Sequence, residues 1–292
     1  MIALELILNA IATGVALGSI YALMAMGLAI TFGILHIPNV AHPAMVVAGA
    51  YAVAISNQYG LDPILAGLIW SLPFYALGRL FYAFYAGSFE ARGGGNTLQS
   101  LTLFFGASLI IEVALAVAFG TDMRSVNVGY VGHSLQLGLI VLPYRFLVPA
   151  LVTPAVMLAL WLYLVRTSVG LAIRAVAHDE RAVSISGLDP FAVKRHAFGI
   201  AMALAVIAGA ALVITGPIDP FGGRVYIGRV FAIVVLAGMG AIPGVLLAGI
   251  MIGVAESLVM SFLSPSWATG VAFAILLATL GLKPTGLFGA AR

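Results

Sequence analysis

Residues 196–216 read HAFGIAMALAVIAGAALVITG, a stretch without Asp, Glu, Lys or Arg. A helix needs about 20 apolar residues to cross the hydrocarbon core of a bilayer, and this stretch is long enough. Further apolar runs cover 4–33, 42–57, 61–86, 98–119, 136–165, 229–262 and 267–282. We therefore predict an all-α polytopic membrane protein with about eight transmembrane helices and one or two short, broken segments near Pro38 and Pro243.

The composition excludes a soluble enzyme. Of the 292 residues, 63% are hydrophobic and only 8% are charged, whereas an ordinary soluble domain carries about 25% charged residues. Disordered chains are poor in apolar residues, so disorder is excluded as well. There is no cysteine, which leaves neither a disulfide framework nor a thiolate metal site. The polar stretches between the runs are short, so we expect residues 1–292 to form a single transmembrane domain.

The basic residues suggest an orientation. No Lys or Arg precedes Arg79, so an ordinary signal peptide is not expected. Cytoplasmic loops carry an excess of Lys and Arg, which places the loop after Arg79 and the segment 166–195 in the cytoplasm. The C-terminal tail falls on the same side if 229–262 crosses twice, broken at Pro243, and the N-terminus is then outside. Four basic residues are assigned to the outer side: Arg124, Arg145, Arg224 and Arg229. The basic residues do not cluster with aromatic residues, so no nucleic-acid partner is expected.

The most informative polar stretch is 166–195, RTSVGLAIRAVAHDERAVSISGLDPFAVKR. Apolar and small residues recur there at helical spacing, and Gly187 with Pro190 provides a stop, so we predict two short cytoplasmic helices. Small side chains beside charges suit a helix that seats in a partner's groove. The alternative is a solvated loop whose charges only fix the topology. The pattern alone favours the two interpretations equally.

Two glutamates fall inside predicted spans, Glu112 in 98–119 and Glu256 in 245–262. Charges within spans usually mark a transport pathway or a buried pair. On the first interpretation, either carboxylate attracts the ammonium group of an amino acid. The alternative, which we favour, is that each bonds Ser, Thr or backbone groups at a helix interface or lies near the outer surface.

Asn39 and His42 lie at the break that follows the first span. Freed backbone groups and polar side chains at such a break can form a substrate gate. A structural interpretation is equally good: Asn39 caps the next helix, and His42 bonds a neighbouring carbonyl. The histidines show no metal-ligand spacing, so neither a metal nor a cofactor is predicted.

Four stretches resemble the permeases of the branched-chain amino acid ABC importers, and they follow one another along the chain in the same order as in that family. They are N39-V-A-H42 followed by G49-A-Y51, VVLAGMGAIPG at 234–244, LKPTGLFG at 282–289, and RAVAHDERAVSISGLD at 174–189. The last resembles the family's cytoplasmic coupling loop, where the matching residues are Arg174, Ala175, Ala177, Asp179, Ala182 and Gly187. Pro43 and Ala237 stand where the family usually has Gly, and Val183 replaces an Ala of the loop.

The resemblance implies a permease of the bacterial inner membrane without chemistry of its own. Its expected partners are a second homologous permease, two cytoplasmic ATPase subunits and a periplasmic solute-binding protein. The sequence has no G-x-x-x-x-G-K-[ST] nucleotide loop, in agreement with a separate ATPase. Two other functions compete with this one. An ion-driven secondary transporter would depend on Glu112 and Glu256. An intramembrane enzyme would need a Ser–His or paired-Asp arrangement, which the predicted spans lack.

Overall fold

The structure of the chain, a computed structural model, describes residues 2–90, 97–238, 240–283 and 285–289. Within these ranges the helices are α1 (Ile2–Leu28), α2 (His42–Gln58), α3 (Pro63–Tyr85), α4 (Thr97–Phe119), α5 (Tyr144–Arg166), α6 (Ser168–His178), α7 (Glu180–Ile185), α8 (Pro190–Thr215), α9 (Gly223–Ala237), α10 (Ile242–Phe262) and α11 (Pro265–Leu282). π-Helical segments extend α1 over Ala29–Ile34 and α3 over Ala86–Glu90. One antiparallel hairpin pairs β1 (Ser134–Leu137) with β2 (Ile140–Pro143).

The predicted architecture of apolar helical spans with shorter segments is confirmed. Six helices are long and apolar enough to cross a membrane, namely α1, α3, α4, α5, α8 and α10. The predicted run 136–165 begins too early, because its first residues form the hairpin and α5 starts only at Tyr144. The run 229–262 holds two helices, α9 and α10, and α9 begins earlier than predicted, at Gly223.

The break between α9 and α10 is made by glycine rather than by Pro243. Gly238 has a φ of +89°, in the left-handed region that glycine adopts without a steric penalty. Pro243 is the second residue of α10, where its missing N–H would have no partner within the helix. The proline therefore starts a helix here. The predicted interruption of 229–262 is confirmed, but it begins at Gly238, just before the proline, rather than at Pro243 itself.

Helices α1 and α10 pack backbone to backbone. A Cβ atom on Gly18 would lie 2.5 Å from the Gly249 carbonyl oxygen, and one on Gly253 would lie 2.4 Å from the Gly18 Cα. Small residues permit this approach, which is the usual way for helices to associate in lipid. Gly14 lies against Gly253 and Gly18 against Gly249, so the two helices run antiparallel.

The bundle has two distinct ends. At the hairpin end, the Asn9 side chain donates to the Leu139 carbonyl at 2.8 Å and accepts from the Val141 N–H at 2.7 Å. Helix α5 runs from the hairpin to the pair α6–α7, and α8 leads back. We call the other end the α6–α7 end, and the π-helical end of α1 contacts α6 there.

The C-terminal segment closes the break at this α6–α7 end. The backbone N–H groups of Leu287 and Phe288 donate to the carbonyls of Leu236 and Ala237 at 2.8 and 3.2 Å. The last carbonyls of a helix have no partner within the helix, so these bonds complete the end of α9. Two of the stretches that resemble the permease family, 234–244 and 282–289, are thus in contact with each other.

Candidate coupling surface and intramembrane ion pairs

Helix α6 begins directly after α5 because Thr167 caps it. The Thr167 Oγ1 accepts a hydrogen bond from the Gly170 N–H at 3.0 Å, as N-cap hydroxyls do. Ile173 and Val176 are buried, whereas Leu171 on another face of the helix is 59% exposed. The helix therefore packs one apolar face on the bundle and leaves further apolar surface uncovered.

The carboxylate of Asp179 joins α6 to α7. Asp179 follows the last residue of α6 and is the N-cap of α7, where its Oδ1 accepts from the N–H groups of Arg181 and Ala182 at 2.8 and 3.1 Å. A cap of this kind stabilises a helix by about 1 kcal/mol. Asp179 consequently holds the two short helices at a defined angle.

Gly187 turns the chain from α7 towards α8. Its φ is +83°, and nothing lies within 4 Å of the position that a Cβ would occupy. Asp189 then caps α8 by accepting from the Phe191 N–H at 3.0 Å. The side chain of Glu180 forms an ion pair with Lys194, so α7 is held to α8 by a charge contact as well as by the turn.

Helices α6 and α7 enclose an open groove of about 670 Å³ at the α6–α7 end. Its lining is small and apolar and includes Val169, Leu171, Ala172, Ala175, Ala182 and Leu188. On α7, Ile185 is 87% exposed. Contiguous uncovered apolar surface beside charged residues is typical of a contact site for another protein.

Asn39 and His42 are buried between the end of α1 and the start of α2. The His42 Nε2 donates to the Met24 carbonyl at 3.0 Å, and the Asn39 Nδ2 lies 3.7 Å from the Met45 Sδ. Among the described residues, the Asn39 Oδ1 and the His42 Nδ1 have no hydrogen-bond partner. Buried polar atoms are rarely left unpaired, so both atoms remain available to a water molecule or a ligand.

Glu112 in α4 forms an ion pair with Arg224 in the first turn of α9. Its Oε2 accepts from the Arg224 Nε at 2.8 Å and from Nη2 at 2.5 Å. The Ser108 Oγ lies 3.5 Å from the other carboxylate oxygen. The Glu112 side chain is buried, but that of Arg224 is 55% exposed, so this pair lies at the edge of the bundle.

Glu256 in α10 pairs with Arg229, one turn further along α9. The Arg229 Nε donates to the Glu256 Oε1 at 2.7 Å, and the two side chains are only 11% and 1% exposed. The rings of Tyr21 and Tyr226 lie 5.6 and 5.8 Å from the guanidinium carbon. Aromatic faces attract a guanidinium, so this pair is enclosed by groups that stabilise its cation.

Similarity to known proteins gives the family. The family described as "Branched-chain amino acid transport system / permease component" matches residues 10–280, which is most of the chain. The chain belongs to this permease family.

Similar proteins include three named permeases of high-affinity branched-chain amino acid transport systems. The chain is 28% identical to BraD of Pseudomonas aeruginosa, over 97% of this chain and 95% of BraD. It is 29% identical to LivH of Escherichia coli and 30% identical to LivH of Salmonella typhimurium, in each case over 94% of this chain and 93% of LivH. No solved structure matches the chain.

The permease brings only some of the predicted coupling residues into the groove. Ala175, Asp179 and Ala182 line it, Arg174 is exposed on α6, and Gly187 forms the turn after α7. Ala177 instead is half-buried and packs against the apolar core. The predicted pair of short helices is confirmed, with α7 ending just before Gly187.

The predictions for the intramembrane polar groups need three corrections. Asn39 does not cap α2, because the N-cap is Ala41 and no side chain bonds there. The Ser108 Oγ bonds Glu112 as the favoured interpretation expects, but each glutamate also has an arginine partner, which that interpretation did not include. Arg229 is not an outer loop residue but lies buried within α9. The prediction that His42 bonds a carbonyl is confirmed.

One signal in the permease sequence points to the missed ion pair. Residues 225–237 read VYIGRVFAIVVLA, so Arg229 is the single charged residue in this apolar stretch. An arginine in such a position needs an acidic partner within the bundle, and Glu112 and Glu256 are the two candidates that lie well away from the ends of the apolar runs.

Proposed function

We propose that this permease is the transmembrane subunit of an ATP-driven ABC importer for branched-chain or related hydrophobic amino acids, in the inner (plasma) membrane of a bacterial cell. The relatives BraD and LivH are named for branched-chain amino acid transport. The observation that carries the proposal is the uncovered apolar groove between α6 and α7. A transporter that works alone has no need of such a surface outside the membrane.

The groove is the proposed seat of a cytoplasmic ATPase subunit. Small residues such as Ala175 and Ala182 let a partner helix approach closely, and the exposed charge of Arg174 fixes its orientation. Because Asp179 joins α6 to α7 and the Glu180–Lys194 pair holds α7 to α8, a push on the groove moves both short helices together. ATP hydrolysis belongs to that separate chain, and the permease converts the push into movement of its spans.

The remaining partners follow from the same proposal. A second homologous permease completes the pathway, two ATPase subunits bind at the α6–α7 end, and a periplasmic solute-binding protein delivers substrate at the hairpin end. The spans of α3 and α4 support the first of these, since only 17% of each is buried within the chain, against 83% for α1 and α8. Residues 1–292 act as one permease domain, and 166–195 is its coupling loop.

The ion pairs count against an ion-driven secondary transporter. Such a carrier needs a carboxylate that gains and loses a cation or proton during each cycle. Both intramembrane glutamates are already paired with an arginine, so neither carboxylate is free to take up a cation from solution.

The proposed substrate pathway includes Asn39, His42, Glu112 and Glu256. Three of them present a buried polar atom without a partner among the described residues, namely the Asn39 Oδ1, the His42 Nδ1 and the Glu256 Oε2. All three are hydrogen-bond acceptors, so they are suited to the ammonium group of an amino acid. Glu112 contributes a carboxylate next to the exposed guanidinium of Arg224.

Purification of the tagged permease from its own host in mild detergent tests the assembly. We expect an ATPase with a nucleotide loop and a second permease of similar size to be identified with it by mass spectrometry. A chain that purifies alone and moves leucine into liposomes without ATP would overturn the proposal.

Two substitutions test the coupling loop. We expect Asp179→Phe, which removes the cap between α6 and α7, and Gly187→Trp, which strains the turn, to leave ATP hydrolysis running while leucine uptake falls. The matched control is Asp62→Phe. Asp62 caps α3 by accepting from the Ile64 N–H at 2.9 Å, but it lies at the hairpin end. Normal uptake by both coupling-loop variants would remove the coupling assignment.

A further inference from the structure

One imidazole joins three helices just above the α6–α7 pair. The Tyr163 hydroxyl in α5 bonds the Nε2 of His196 in α8 at 2.7 Å, and the Tyr75 hydroxyl in α3 bonds the Nδ1. A neutral imidazole has one N–H donor and one bare acceptor nitrogen. One tyrosine hydroxyl therefore accepts and the other donates, and both ring nitrogens are used.

This cluster lies where the coupling loop leaves and re-enters the bundle. Tyr163 is in the last turn of α5, and His196 is in the second turn of α8. The Tyr163 carbonyl also accepts a hydrogen bond from the Thr167 hydroxyl at 2.7 Å, and Thr167 is the residue that caps α6. The imidazole thus connects the two helices that carry the α6–α7 pair, close to its base.

Tight packing extends the connection to α3. The ring of Tyr75 lies edge-on to His196, with centroids 5.5 Å apart. One turn along α8, a Cβ on Gly199 would lie 2.7 Å from the Tyr75 ring and 2.9 Å from the Arg79 side chain. Because α3 and α8 are already in contact, Tyr75 has little room to move relative to His196.

We propose that His196 is a positioning residue that makes α3, α5 and α8 move as one body when the α6–α7 pair is pushed. The inference rests on the proposed function, since it requires an ATPase that drives this pair. With the imidazole in place, a displacement of α6 reaches α8 and α3 together. Without it, α5 and α8 move separately. Part of the displacement that each ATP hydrolysis produces then fails to reach the spans that carry substrate.

The test measures the number of ATP molecules hydrolysed per leucine taken up, with the purified complex in proteoliposomes. Tyr75→Phe and Tyr163→Phe each remove one hydrogen bond and leave the ring in place. The loss of one net hydrogen bond shifts the equilibrium between joined and separated helices by about fivefold. We expect each variant to raise the ratio by up to this factor, and His196→Phe to raise it further. His196→Gln, which keeps one donor and one acceptor, is expected to restore part of the coupling.

Tyr85→Phe is the matched control. The Tyr85 hydroxyl is bonded to the Ser100 hydroxyl at 2.8 Å, and this bond joins α3 to α4. Its ATP-to-leucine ratio should stay at the wild-type value. A rise in this control equal to that of Tyr163→Phe would show a general loss of packing and would overturn the inference.

The failure of this inference differs from the failure of the proposed function. A wild-type complex with ATP-driven uptake and an unchanged ratio in His196→Phe overturns the inference alone. Equal losses of membrane abundance, ATPase rate and uptake in all of the cluster variants would also overturn it, since that pattern describes a purely structural cluster. Wild-type protein that carries leucine without ATP overturns both.

Discussion

The two arginines of α9 make chemically equivalent ion pairs in different surroundings. Arg224 reaches Glu112 from the edge of the bundle, with more than half of its own side chain exposed. Arg229 and Glu256 are both enclosed, with tyrosine rings beside the guanidinium. In the buried pair each charge depends on the other, whereas in the edge pair only the carboxylate does. An ion pair is therefore described by the environment of each partner separately, and the two pairs should respond differently to the same substitutions.

The largest effect is expected from Glu256→Ala. This substitution leaves the Arg229 cation buried without its carboxylate, which typically costs about 3–5 kcal/mol. The amount of permease in the membrane and its unfolding temperature in detergent should both fall sharply. Wild-type abundance and Tm would show that Arg229 is stabilised without Glu256.

A double substitution separates the ion pair from the space that it fills. We expect Glu256→Leu combined with Arg229→Met to recover most of the stability lost in Glu256→Ala, because apolar residues of similar volume often replace a buried pair without loss. The Tm of the double variant provides the measurement. A double variant as unstable as Glu256→Ala would show that the charges themselves are needed at this position.

Arg224→Ala should have an intermediate effect on stability. It removes an exposed cation at little cost for the cation itself, but it leaves the buried Glu112 carboxylate without its partner. We expect the Tm of this variant to lie between those of wild type and Glu256→Ala. A Tm below that of Glu256→Ala would contradict the proposed ranking of the two pairs.

The smallest change in stability is expected from Glu112→Gln. The amide fits the same space, and the exposed Arg224 remains solvated without its partner. Since Glu112 belongs to the proposed substrate pathway, we expect the KM or the rate of leucine uptake to change at near-normal abundance. Unchanged transport kinetics would return Glu112 to a role in packing.

The sequence predicts the spans and the α6–α7 pair well because each depends on local pattern. Lipid cannot satisfy a backbone N–H or C=O, so a long apolar run must be helical. Small residues at helical spacing before Gly187 were enough to place the two short helices. The same rule misjudged 136–143, whose apolar residues form a hairpin at the end of the bundle, where the strands pair with each other and with Asn9.

The contacts between distant helices were not predictable in the same way. Glu112 and Arg224 are far apart in the chain, and no local pattern sets the rotation of α4 relative to α9. The His196 cluster depends in the same way on how α3, α5 and α8 pack. Asn39 lies shortly before α2, where a capping residue is expected, but the N-cap position of α2 is occupied by Ala41. The sequence therefore shows which polar groups need partners, and only the fold shows which partners they have.

The contact of the C-terminal segment with α9 closes a loop in the chain. Leu287 and Phe288 supply the hydrogen bonds that complete the end of α9, and α10 and α11 lie between the two bonded segments. The carbonyls of Leu236 and Ala237 therefore find these donors only when both intervening helices are packed in place. The end of α9 thus depends on the packing of two helices that follow it in the chain.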